Sequence, residues 1–151
     1  MTSTAPTPTL TIAPIEDANV ADVVALWLRC GLTRPWNNPA ADIALARKGP
    51  NAAVLVGRDS SGVVASVLVG HDGHRGWVYY VAVDPDRRAN GHGRAIMNAA
   101  EEWLRQAGIP KLQLLVRRDN AKAGAFYQSI GYEEADTIVF AKWIDGREPT
   151  L

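Results

Sequence analysis

The sequence predicts an α/β (α+β) domain in which helices flank a mixed sheet. Three features indicate this class: a run of β-rich segments between residues 52 and 83, an amphipathic helix from 94 to 107, and a strand–helix pair from 111 to 130. A run of strands followed by β-α-β units is compatible with α/β or α+β architecture. With an N-terminal strand and two helices added, the predicted order is β-α-α-β-β-β-α-β-α-β.

The chain has the size and composition of one globular domain, with 151 residues of which 47% are hydrophobic and 21% charged. We expect that domain over residues 10–145, between a disordered leader, 1–9, and a tail, 146–151. The 16 basic and 16 acidic residues cancel, so no large positive field attracts nucleic acid or an anionic membrane. One cysteine, Cys30, excludes an intrachain disulfide and is typical of a reducing compartment. Since no apolar run approaches the ~20 residues of a membrane span, we expect a cytoplasmic protein.

The first predicted elements are a strand, Leu10–Ile15, and a helix that Asp17 could cap. Pro14 lacks a backbone donor, which favours an edge position for the strand. Gly31 is expected to end the helix. The apolar face of this helix, at helical spacing, consists of Val20, Val23, Val24, Trp27 and Leu28.

A polar, proline-rich loop, Leu32–Pro39, precedes a predicted helix, Ala40–Lys48. Within the loop, Arg34 and Trp36 could together recognise an amine-bearing or acidic substrate. The alternative is structural: Trp36 fills the edge of the core and Arg34 is solvated.

Two strands of a hairpin are predicted around the turn Asp59–Gly62. The polar loop that follows the hairpin holds His71, Asp72 and His74, three potential metal ligands. No other His or Cys offers a matching cluster, and structural zinc takes four protein ligands. We therefore expect no metal, and a loop at the rim of an active site.

The central stretch is a strand, Tyr79–Val83, a Gly- and Arg-rich turn, Arg88–Arg94, and an amphipathic helix closed by Gly108. Two glycines let the backbone approach a ligand closely, and the start of a helix leaves N–H groups without intrahelical partners. These features favour an anion site, best suited to phosphate. The turn lacks the Lys-Ser/Thr of a Walker A loop, and Ile96 replaces the third glycine of a dinucleotide fingerprint.

Another strand, Lys111–Val116, and a helix, Ala121–Ile130, follow. Gly131 is expected to cap this helix, and Glu133–Trp143 to supply one or two final strands.

The order of strand, Asp-Pro-Asp, paired arginines and R-x-x-G-x-G resembles the acyl-CoA-binding motif of the GNAT superfamily of N-acetyltransferases. The resemblance covers roughly residues 10–142. It implies the GNAT acyltransferase fold and a turn that holds the pyrophosphate of acetyl-CoA. The residues that match this turn are Arg88, Ala89, Asn90, Gly91, His92, Gly93 and Arg94.

A second match lies in Asn120–Tyr132, which resembles the family's Asn, small-residue helix start, Tyr and Gly-aromatic pattern. It implies that Asn120 contacts the pantetheine arm and that Tyr127 gives a proton to the leaving thiolate. The structural alternative for Tyr127 is a packed helix aromatic. By the same resemblance, the backbone of Val81, Ala82 and Val83 pairs with pantetheine, and an N–H there stabilises the oxyanion.

The general base is not apparent from the sequence. Related ribosomal-protein alanine acetyltransferases carry a Glu where this chain has Leu115, and leucine cannot accept a proton. Replacement candidates are His74, Asp72, Tyr80 and an ordered water, with deprotonation through water or by the substrate preferred.

The motifs resemble a bacterial branch of the superfamily with mostly unassigned substrates. They predict acetyl transfer from acetyl-CoA to a primary amine, on a small molecule or protein, by direct attack in a ternary complex. The alternative is a non-catalytic acyl-CoA sensor, which would have no need of Tyr127; a nucleotide-phosphate-binding protein of another class is disfavoured. The acceptor and the choice between monomer and homodimer stay open.

Overall fold

A computed structural model describes residues 10–88 and 90–148. The chain divides after Leu115 into two compact units. The leader predicted for residues 1–9 lies outside the described residues, as do the last three residues, 149–151, of the predicted tail. The boundaries predicted for a single domain, 10–145, stay a prediction.

The first unit is built on a five-stranded sheet in the order β1-β2-β3-β4-β5. Neighbouring strands from β1 to β4 are antiparallel, and β4 pairs with β5 in parallel. This confirms the mixed, mostly antiparallel sheet and the edge position of the first strand. The strands are β1 (Thr11–Pro14), β2 (Ala52–Asp59), β3 (Gly62–His71), β4 (Gly76–Val83) and β5 (Leu112–Gln113).

Three helices accompany this sheet: α1 (Val20–Arg29), α2 (Pro39–Ala46) and α3 (His92–Gln106). The predicted cap of α1 is wrong, because a 3-10 turn, Asp17–Asn19, precedes the helix. Its first residue, Asp17, accepts a hydrogen bond from Arg47 at 2.7 Å instead. No helix in the described part of the chain is long and apolar enough to cross a membrane.

Helix α1 packs into a core with α2 and one face of the sheet. Leu26, rather than the predicted Leu28, completes its buried face, and Leu28 is 61% exposed. Leu28 lies five residues after Val23, about 140° around the helix, so it turns away from the core. The buried members of this core are Ile15, Val23, Leu26, Trp27, Ile43, Ala46, Val54, Val56 and Ala82.

Helix α3 packs on β2, β3 and β4. The buried residues of α3 are His92, Ile96, Met97, Ala100 and Leu104. Ala107, which follows the helix, is exposed. Leu104 occupies the space above Gly76, where an added Cβ would lie 2.7 Å from Leu104 Cδ2. Gly76 therefore faces α3 and permits close helix–strand packing.

The second unit, from Val116 onward, contains α4 (Ala121–Ser129). Asn120 caps this helix, and Gly131 follows it with φ +100°. The final strands predicted over Glu133–Trp143 are wrong, because the structure assigns no strand to those residues. Apolar sequence alone does not make a strand, since the backbone also needs a neighbouring strand as hydrogen-bond partner. The apolar side chains there are exposed, Phe140 by 89%.

Candidate active site

A β-bulge interrupts the pairing of β4 with β3. Ser66 is paired with Ala82 and Leu68 with Tyr79, so two residues of β4 lie opposite the single residue between them on β3. Tyr80 occupies the bulge with φ +53°, the left-handed region that a tyrosine rarely adopts. Such a conformation costs roughly 1–3 kcal/mol and is concentrated at functional sites.

The bulge turns the side chain of Tyr80 to the other face of the sheet. Alternate residues of a regular strand share a face, so Tyr80 would lie on the same face as Gly76, towards α3. Instead Tyr80 packs against the α1–α2 core and stacks on Trp27, with ring centroids 3.7 Å apart and planes 3° from parallel. Bulges next to active sites commonly redirect a side chain in this way.

A chain of hydrogen bonds holds Tyr80 in this position. The indole N–H of Trp27 donates to Ser66 Oγ at 2.7 Å, and Ser66 Oγ donates to the backbone carbonyl of Tyr80 at 3.1 Å. The Tyr80 hydroxyl donates to Asp42 Oδ2 at 2.7 Å. Burial and the neighbouring Asp42 carboxylate raise the pKa of Tyr80 well above its usual value. At neutral pH Tyr80 is therefore a hydrogen-bond donor.

Within the described residues of the first unit, β4 has one free edge. Its parallel ladder with β5 covers only Gly76 and Trp77, so Val78–Val83 pair with no strand of this unit on that side. The carbonyl of Val83 accepts from Cys30 Sγ at 3.3 Å and from Arg88 Nε at 3.4 Å. Burial raises the pKa of the Cys30 thiol, so little of it is thiolate at neutral pH.

The loop after β4 is tied to the scaffold by two arginines. Arg29 of α1 pairs with Asp84 at 3.1 Å. Arg87 pairs with Asp59 at 3.1 Å and donates to Ser61 Oγ at 2.9 Å, both in the β2–β3 turn. Hydrogen bonds from Ser61 and then from Arg87 lower the pKa of Asp59, which stays charged. These contacts fix the path of the chain into α3.

The glycine-rich turn leads into an open helix N-terminus. Gly91 is the N-cap of α3 with φ +77°, and a Cβ built on it meets nothing within 4 Å. Arg88, Asn90 and Arg94 are exposed. His92 is buried, and its Nε2 has no hydrogen-bond partner among the described residues. Backbone amides, helix dipole and two arginines thus favour an anion at this turn.

The second motif lies in the second unit, around α4. Asn120 Oδ1 accepts from the Ala123 N–H at 3.2 Å, which makes Asn120 the helix N-cap. Tyr127 packs edge-on against Phe126 and Tyr132, with centroids 5.1 and 6.0 Å away. Burial raises the pKa of Tyr127 to about 12, so its hydroxyl is protonated at neutral pH.

Comparison with known proteins decides the family. The model of the acetyltransferase (GNAT) family matches residues 20–132. An acetyltransferase of Yersinia enterocolitica is 38% identical over 131 residues, which are 87% of this chain and 93% of the relative. One from Yersinia pseudotuberculosis is 40% identical over 121 residues, 80% and 86% of the two chains. The chain belongs to the GNAT family. It is an acetyltransferase, as the motifs predict.

Solved structures agree on the GNAT fold. The aminoglycoside acetyltransferase AAC(6')-Iy, in complex with a bisubstrate analogue, superposes with a TM-score of 0.77 at 14% identity, covering 89% of this chain and 98% of that one. The ribosomal-protein-S18-alanine N-acetyltransferase of Escherichia coli gives 0.66 at 25% identity, covering 84% and 79%. These likenesses confirm the predicted fold.

Two of the predicted base candidates in this GNAT protein lie far from the bulge. Asp72 and His74 are in the β3–β4 turn, before Gly76, and six residues of β4 span about 20 Å. Asp72 Oδ1 accepts from the His74 and Arg75 N–H groups at 2.9 and 2.8 Å, which lower the pKa of Asp72. Its carboxylate stabilises the turn. The structure does not bring it to the Val81–Val83 end of the strand.

The predicted substrate loop is ordered by its own arginine. Arg34 Nη1 donates to the carbonyls of Gly31 and Thr33 at 3.0 and 3.2 Å, so this guanidinium is bound to the loop rather than fully solvated. Trp36 is half-buried. The residues described contain no group of three or more His, Cys, Asp or Glu side chains that could hold a metal ion.

Sequence reasoning missed Asp42 and Ser66. Ser66 is a lone polar residue in an apolar strand, a pattern that signals a buried hydrogen bond. Asp42 is the one acidic residue of α2, and nothing in the local sequence connects it to Tyr80, 38 positions away.

Proposed function

We propose that this enzyme transfers an acetyl group from acetyl-CoA to a primary amine by direct attack in a ternary complex. The proposal is carried by two features that follow each other along the chain: the free edge of β4, and the open N-terminus of α3 at Gly91, which the glycine-rich turn connects to β4. A strand edge offers amide and carbonyl groups to an extended ligand, and a helix N-terminus offers amides to phosphate.

The pyrophosphate of acetyl-CoA would bind at the turn. Gly91 leaves space where any other side chain would stand, and Arg88 and Arg94 are exposed beside it. Ala89, which the motif also includes, lies outside the described residues. The salt bridges of Arg29 and Arg87 hold the loop in place before the ligand arrives, which lowers the entropic cost of binding.

The thioester would lie along the end of β4, at Val81, Ala82 and Val83. As the amine nitrogen attacks, a C–N bond forms, the carbonyl oxygen becomes negative, and the C–S bond then breaks. A backbone N–H of this segment would stabilise the oxyanion. Direct attack is supported by the state of Cys30, because a half-buried thiol with a raised pKa is a poor nucleophile for an acyl-enzyme.

Tyr127 would assist the leaving thiolate mainly as a hydrogen-bond donor, a role carried over from the family motif together with that of Asn120. The pKa of Tyr127 is about 12, whereas that of a free thiol is about 8.5. Complete proton transfer from Tyr127 is thus unfavourable by about 5 kcal/mol. Hydrogen-bond donation to the thiolate lowers the barrier without that transfer.

Water or the substrate itself would remove the proton from the acceptor amine. Leu115, at the position of the family's Glu, is exposed and cannot act as a base. Asp72 and His74 lie at the other end of β4, and Tyr80 is held protonated. Arg34 and Trp36 stay candidates for the acceptor side, in the loop between α1 and α2.

Initial-rate kinetics with a panel of primary amines, followed by release of free thiol, tests this function. Intersecting double-reciprocal lines are expected for a ternary complex, and Tyr127→Phe should lower kcat about tenfold with little change in acetyl-CoA affinity. Parallel lines, or an acetylated enzyme isolated without acceptor, would contradict direct attack. Acetyl-CoA binding without turnover of any amine would favour the sensor alternative.

A further inference from the structure

Two adjacent residues at the end of α1 bind the exit of β4. Arg29, the last residue of the helix, pairs with the Asp84 carboxylate at 3.1 Å. Cys30, the C-cap, donates its S–H to the backbone carbonyl of Val83 at 3.3 Å. The end of the helix therefore contacts both the last residue of the strand and the first residue of the loop that follows it.

The pairing of β3 with β4 determines where the backbone groups of Val83 point. Hydrogen-bonded and non-hydrogen-bonded pairs alternate along an antiparallel ladder. The Asp84 N–H donates to the Val64 carbonyl at 2.8 Å, so these two residues form a hydrogen-bonded pair. The preceding pair, Val83 and Ala65, is then a non-hydrogen-bonded one. The N–H and C=O of Val83 both point away from β3, to the free edge where acetyl-CoA is proposed to bind.

The carbonyl of Val83 is fully used in this arrangement. A backbone carbonyl has two lone pairs, and Cys30 Sγ and Arg88 Nε both donate to this one, at 3.3 and 3.4 Å. The N–H of Val83 is thus the group that this residue offers to a ligand at the edge. The peptide between Val83 and Asp84 is held at both ends, because its N–H is bound by Val64. Its plane cannot turn without breaking these hydrogen bonds.

The two donors to this carbonyl differ in what else they bind. Arg88 belongs to the glycine-rich turn and is exposed, and its guanidinium is a charge proposed to meet the pyrophosphate. Cys30 is half-buried, and burial raises the pKa of its thiol, so the thiol keeps the proton that it donates. Cys30 is therefore the donor for which the ligand does not compete.

We propose that Cys30 is a positioning residue for acetyl-CoA: its thiol holds the carbonyl of Val83 and thereby orients the backbone that presents the Val83 N–H to the cosubstrate. The inference rests on the proposed function and deepens it. Cys30 acts through Val83 and forms no bond to the acetyl group. The structural alternative is that the thiol only fills space between α1 and β4.

Calorimetric titration of three variants with acetyl-CoA, together with their kinetics, tests this role. Cys30→Ala removes the donor and should raise the dissociation constant and KM for acetyl-CoA about 3- to 10-fold, the size of one hydrogen bond. The KM for the acceptor amine should stay within about twofold. Cys30→Ser keeps an O–H donor and should retain most of the wild-type affinity. Leu28→Ala removes an exposed side chain from the last turn of α1 and should change neither constant.

Raman spectroscopy tests the hydrogen bond itself. Cys30 is the one cysteine of the chain, and acetyl-CoA is a thioester without an S–H group, so the S–H stretching band of the complex belongs to Cys30. An S–H···O hydrogen bond lowers the frequency of this band, and Cys30→Ala supplies the blank. We expect the lowered frequency in the free protein and in the complex. A band at the frequency of a free thiol in the complex would overturn the inference.

The outcomes separate positioning from packing, and the inference from the proposed function. If Cys30→Ala lowered the urea midpoint but left acetyl-CoA binding within twofold of the wild type, the thiol would only fill space and the inference would be overturned. Equal losses of affinity in Cys30→Ala and Cys30→Ser would also overturn it, because the donor would then be irrelevant. Absence of acetyl-CoA binding to the wild type contradicts the proposed function, and the inference with it.

Discussion

The hydrogen bond between Tyr80 and Asp42 should be measurable as a coupling energy in a double-mutant cycle. Tyr80→Phe removes the hydroxyl but keeps the stack on Trp27, whose centroid lies 3.7 Å away. Asp42→Ala removes the acceptor. A hydrogen bond to a charged group contributes about 1.5–3 kcal/mol. Since both side chains are only half-buried, we expect the lower end, about 1.5 kcal/mol.

Urea unfolding of the wild type, the two single variants and the double variant gives this energy. With a slope of about 2 kcal/mol per molar urea, 1.5 kcal/mol corresponds to a midpoint change of about 0.75 M. Tyr79→Phe is the matched control, because the neighbouring Tyr79 is 49% exposed and should change the midpoint little. A coupling energy below about 0.3 kcal/mol, the limit of ordinary additivity, would refute the contact.

Three further predictions concern the glycine-rich turn, the packing of α3 on the sheet and the dependence of stability on pH above pH 10. In calorimetric titrations, Gly91→Glu should abolish the binding of acetyl-CoA. Gly91→Ala adds only backbone strain at φ +77° and should weaken binding less. Equal effects of the two variants would exclude repulsion of the pyrophosphate as the cause. Gly76→Ala should lower the free energy of unfolding by about 1–3 kcal/mol, because the added methyl group overlaps Leu104. Gly124→Ala, whose added methyl group has open space in α4, should raise it by about 0.5–1 kcal/mol. The reverse order of stability would contradict the close packing of α3 on Gly76. The pKa of Tyr127 is about 12 in the folded protein and about 10 in the unfolded chain. Its contribution to the free energy of unfolding is therefore complete below pH 10 and is lost between about pH 10 and 12. Tyr127→Phe should reduce this loss of stability when unfolding is measured as a function of pH, and an unchanged pH dependence would show that Tyr127 is not buried.

Much of the fold was predictable because its signals are local. The hairpin turn at Asp59–Gly62, the proline at the edge strand and the periodicity of α3 each act within a few residues of the feature they determine. The glycine-rich turn was also predictable, since Gly91 adopts the left-handed conformation that its residue type favours. In these places the local sequence and the structure agree.

The features that sequence reasoning missed depend on contacts between distant residues. The run Tyr79–Val83 contains no glycine or other residue that would indicate a bulge. The bulge is stabilised by hydrogen bonds that involve Trp27 and Ser66 from other elements. Asp42 meets Tyr80 only after folding. Apolar residues near the C-terminus suggested strands, but a strand also requires a partner that local sequence does not specify.

Calorimetric titration of the wild-type protein with acetyl-CoA tests the central claim most directly. The claim is that the free edge of β4 and the N-terminus of α3 together bind this cosubstrate. We expect saturable one-to-one binding with a dissociation constant on the order of micromolar, abolished in Gly91→Glu at unchanged folding. Absence of binding to the wild type, or full binding to Gly91→Glu, would contradict the account.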